Sequence, residues 1–127
     1  MGIQKLVPDK KTCQKLQSSG VELDTEWWWV PDTSLIHKRE AEHEWEKYVP
    51  APLLSEILDV MPNEIYEDDV EEPYYPQVEM TRGGYKASYS HDLYIPLNFQ
   101  RADNPSEAAA QLLIFLVEEG HVNPDEL

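Results

Sequence analysis

The chain has a single cysteine, Cys13, in 127 residues, so no disulfide can form within it. A lone thiol suits a reducing cytoplasm. Basic charge is scarce as well: ten Lys and Arg stand against twenty-five Asp and Glu, for a formal net charge of −15. The deficit is uneven. Residues 1–50 hold seven basic and nine acidic groups, whereas residues 51–127 hold three and sixteen. A surface so poor in cations cannot displace the counterions of a phosphate backbone, which argues against direct binding to DNA, RNA or an anionic membrane. The same charge favours a basic protein partner, although solubility is the plainer reading.

Long apolar runs are missing too. The longest, residues 108–117, is about ten residues and contains Gln111, half of the roughly 20 that a membrane span needs. The opening MGIQKLVPDKK has no apolar segment of the signal-peptide kind, and position 6 is Leu rather than the Ser or Thr that accompanies an acylated Gly2. The terminal PDEL lacks the Lys or His of a retrieval signal. A soluble, cytoplasmic protein with one domain over residues 1–127 is expected.

What is present reads as alternating helices and strands. Residues 9–19 predict a helix capped by Asp9, with Cys13 and Leu16 as a sparse apolar stripe and Gly20 as its stop. The run Trp27-Trp28-Trp29 within residues 26–30 predicts a strand ended by Pro31-Asp32. Leu35-Ile36 and residues 44–49 are short strand candidates, and KREAEHEWEK fits a turn or two of helix equally well. PLLSEILDV, residues 52–60, predicts a helix with Pro52 in its first turn and Leu53, Leu54, Ile57, Leu58 and Met61 on one side. Ile65-Tyr66 begins a strand, and the acidic stretch up to Glu72 reads as a solvated loop.

Residues 77–82 and 85–90 flank Gly83-Gly84 and alternate in polarity, the clearest hairpin signal in the chain. Residues 93–99 predict a further strand, placed at an edge or bulge because Pro96 donates no ladder hydrogen bond. The last helix starts with Asn104 as cap, Pro105 in the first turn and Glu107 at capping-box spacing, and Gly120 ends it. The expected fold is α+β: a small antiparallel sheet packed against two or three helices, in the order α-β-(β)-α-β-β-β-α.

Three pieces, "TCQKLQSSGV", "APLLSEILDVMP" and "HDLYIPLNFQRADNPSEAAAQLLIFLVEEG", occur in this order. Through them the chain, from Thr12 onwards, resembles small uncharacterised proteins encoded in bacterial prophages and mobile elements. The resemblance rests on a pattern of caps and core. It implies a provenance, and it carries over no activity and no functional residue.

Candidate sites are few. On a strand Trp27 and Trp29 share one face and Trp28 takes the other. Trp27 and Trp29 are expected in a core, whereas Trp28 is covered by the segment with Trp45 and Tyr48 or serves as a contact surface. His37, Glu40 and His43 have helical spacing but form no HExxH. His91-Asp92 follows Ser88 and Ser90, yet no G-x-S-x-G elbow is present. The run Glu67, Asp68, Asp69, Glu71, Glu72 lacks the spacing of a calcium loop, and Gly83-Gly84 belongs to no phosphate loop. Tyr74, Tyr75, Tyr85, Tyr89 and Tyr94 could gather on the outer face of the sheet as a peptide-binding surface.

The final helix is apolar nearly all round. Ala108, Ala109, Leu112, Leu113 and Leu116 are expected against the sheet, leaving Ile114 and Ala110 to be covered by the first helix or by a second copy of the chain. Trp28, Tyr85, Tyr89, Tyr94 and Ile114 are therefore the candidate interface residues, Ile114 as the centre of a homodimer contact. No catalytic, cofactor-binding or metal-binding residue is assigned. The sequence favours a non-catalytic, phage-related accessory protein that binds another, unidentified protein. Its rivals are an acidic decoy that imitates DNA for a host nuclease or repressor, and an enzyme with an unrecognised site. In a gel-shift assay at physiological salt no DNA complex is expected; a micromolar complex with a steep salt slope would refute the exclusion.

Overall fold

A computed structural model of the chain describes residues 3–30, 34–37, 48–67 and 71–127. After a 3-10 turn at Ile3–Lys5, helix α1 runs over Lys10–Ser18. Asp9 caps it, its side chain accepting the Thr12 N–H at 2.8 Å, and Gly20, at φ +93°, lets the chain leave in a left-handed conformation. The tryptophan run forms strand β1, Trp27–Trp29. It is the centre of a three-stranded antiparallel sheet, between β2 (Leu35–His37) and β3 (Val49–Pro50). The short strand expected at Leu35-Ile36 is thus present and pairs Ile36 with Trp28. The alternatives for KREAEHEWEK, most of the strand expected at 44–49, the histidine pairing through Glu40 and His43, and the Trp45 cover for Trp28 lie outside the described residues.

Alternation along β1 places Trp29 in a small core with Val7, Cys13, Val49 and Ala51, and Trp27 packs beside it. The Trp29 indole N–H donates to Pro8 O at 3.2 Å, so the ring is buried without stranding its polar atom. Burial raises the Cys13 thiol to about 12, which keeps it protonated at neutral pH. Trp28, on the opposite face, is half-buried.

Helix α2 spans Leu54–Val60, and Pro52 lies just ahead of it rather than in its first turn. Its Glu56 turns back to accept the Leu53 N–H at 2.7 Å and the Glu26 N–H at 3.1 Å. Ile65 then forms a single antiparallel bridge with Tyr74. The hairpin is β4 (Tyr75–Thr81) and β5 (Gly84–Ser90), with Thr81 paired to Gly84 across Arg82-Gly83. Gly84 is required there because a Cβ would sit 2.4 Å from Ala102 O.

Strand β6 is Phe99–Ala102, pairing on the far side of β5. This corrects the strand expected at 93–99. The Leu93 N–H is taken by His91 Nδ1 at 3.0 Å and Pro96 has no N–H, so that stretch cannot sustain a ladder. It forms an irregular segment in which Leu93 and Ile95 are 78% and 86% exposed. The fold is α+β, with two small antiparallel sheets in place of one.

Helix α3, Pro105–Glu118, crosses β5 and β6 and buries Ala108, Ala109, Ala110, Leu112, Leu113, Ile114 and Leu116. Asn104 caps it through the Glu107 N–H at 2.7 Å. Glu107 does not complete the capping box. Its carboxylate faces α1, accepting the Asp9 N–H at 2.8 Å, the Thr12 hydroxyl at 2.6 Å and the Gln111 amide at 2.5 Å. Ile114 is 4% exposed, which corrects the expected dimer contact. The cover comes from α1, which packs against α3 and whose Leu16 belongs to the same core cluster as Ile114.

Trp29→Ala is expected to cost roughly 3–5 kcal/mol, as large-to-small core changes do, and Trp28→Ala distinctly less. Ile114→Glu should unfold the protein rather than release a monomer, because it buries an unpaired charge. Urea unfolding followed by circular dichroism measures all three; equal, small losses would overturn this account of the two cores.

Candidate functional site

Among the described residues strand β4 is an edge strand, since β5 separates it from β6. Tyr74 and Ile65 exchange both backbone hydrogen bonds, N–H to O at 2.8 Å in each direction. The backbone groups of Tyr74 therefore point away from β5. In an antiparallel ladder this direction alternates, so Pro76, Val78 and Met80 also point outward, while Tyr75, Gln77, Glu79 and Thr81 bond to β5. Pro76, which lacks an N–H, falls on an outward position where no ladder bond is lost. Among the described residues, no backbone hydrogen bond reaches the outward groups of Val78 and Met80.

The side chains of Pro76, Val78 and Met80 share the helix-facing side of the sheet with their cross-strand partners Tyr89, Ala87 and Tyr85. With Leu54 and Leu58 of α2 they enclose a groove of about 500 Å³, within the usual range of ligand sites. Its lining is mainly apolar, and Met80, 79% exposed, forms its outer lip. Among the described residues Glu79 is the one charged residue lining it, with its carboxylate 3.6 Å from Lys86 Nζ.

Of the five candidate interface residues only Tyr85 lies in this groove. Tyr89 is fully buried and donates its hydroxyl to Pro62 O at 2.6 Å; burial pushes its phenol well above the ordinary range. It is a core residue, not a surface one. Trp28 is half-buried in the other sheet, Ile114 is in the core, and Tyr94 stands on the exposed stretch 92–95 with its ring 4.8 Å from that of buried His91. The tyrosines do not gather on the outer face. Tyr74 is buried, Tyr85 and Tyr89 face the helices, and Tyr75 faces outward, bonded to Asp92 at 2.9 Å.

The other candidate groups are engaged elsewhere. The Ser88 and Ser90 hydroxyls are 2.8 Å apart and bond to each other, Asp92 accepts from Tyr75, and His91 Nδ1 accepts from Leu93, so they form no relay. His37 lies 3.9 Å from Glu26, and His121 Nδ1 lies 2.7 Å from Glu67. Asp68 and Asp69 lie outside the described residues. Among those described, no three His, Cys, Asp or Glu side chains are grouped for a metal ion, and no helix is long and apolar enough to cross a membrane.

Val78, Met80, Leu54 and Leu58 are the site residues that sequence reasoning missed. Pro76 held the signal: a proline inside an alternating strand marks an edge. Comparison with protein-family models, with curated proteins and with solved structures finds no match. The groove is read from its own chemistry. Met80→Asp should leave stability within roughly 0.5 kcal/mol, as exposed substitutions do, whereas Tyr89→Phe should cost roughly 1 kcal/mol by stranding Pro62 O. Thermal melts of both variants check the contrast.

Proposed function

We propose that the chain is a non-catalytic interaction protein that binds another protein through the groove between α2 and β4. The observation that carries this is the juxtaposition of an apolar groove with an unpaired strand edge at Val78 and Met80. Buried Tyr89 and Ile114 weigh against an interface on the tyrosine cluster or a dimer through α3. The resemblance carried by "APLLSEILDVMP" and its companion pieces supports an origin in a prophage or mobile element, where a small accessory protein would act on a component of the bacterial cell. The lone, buried Cys13 supports the cytoplasm as its compartment.

The test is affinity capture from a bacterial lysate at high salt with wild-type and Met80→Asp baits. A partner retained by the wild type and lost by the variant is expected. Identical captures with both baits would remove the groove from the proposal.

A further inference from the structure

We draw no further inference here: the strongest candidate, the exposed apolar patch of Leu93, Tyr94 and Ile95 on the connection from β5 to β6, carries none because nothing in the structure shows what covers it.

Discussion

Helix α3 is apolar on nearly every side, and a helix of that kind must be covered all the way round. The rest of the fold answers this demand. The sheet β4–β5–β6 takes one flank, α2 another, and α1 closes the third over Ile114. Because α1 is mostly polar, apolar contact alone would hold it weakly. The buried carboxylate of Glu107 supplies what is missing, gathering the N–H of Asp9, the hydroxyl of Thr12 and the amide of Gln111. Ser106 and Asn104 add bonds from α3 to Leu6 O and Val7 O, so the N-terminal segment is pinned along the start of α3. That pinning places Val7 and Cys13 where Trp29 can pack on them, and the second core follows from the first.

Local chemistry made much of this legible. Asp9 and Asn104 cap as their types dictate, the Gly83-Gly84 region turns the hairpin, and the period of two along Trp27-Trp28-Trp29 puts the buried Trp29 and the half-buried Trp28 on opposite faces. What escaped depended on contacts distant in sequence. Glu107 fits a capping box by spacing, but three donors on α1 and α3 outbid the single N–H of its own cap. Residues 93–99 alternate like a strand, yet His91 turns back on the Leu93 N–H and the ladder starts only at Phe99. Ile114 looked exposed because the apolar stripe of α1 is thin, yet its Leu16 joins the same core cluster.

The candidate site was less legible than the fold, for a related reason. Leu54, Leu58, Val78 and Met80 read as ordinary core positions on amphipathic elements, and three of the four are partly buried by the core. Only the placement of α2 beside the free edge of β4 leaves a gap between them. Aromatic residues drew attention instead, but Tyr89 is large and apolar enough to be the biggest fully buried side chain among the described residues. Size, which makes tyrosine frequent at interfaces, equally makes it a core residue.

An open strand edge is a liability, since it invites pairing with any passing chain, including another copy of itself. Here the edge is short, Pro76 removes one donor, and Glu79 stands in the middle of β4. These are the usual guards against self-pairing. The Glu79 carboxylate is held across the hairpin, 3.6 Å from Lys86 Nζ, so the charge stands on the edge without leaving the ladder. The backbone groups of Val78 and Met80 point away from β5, on the side that these guards protect.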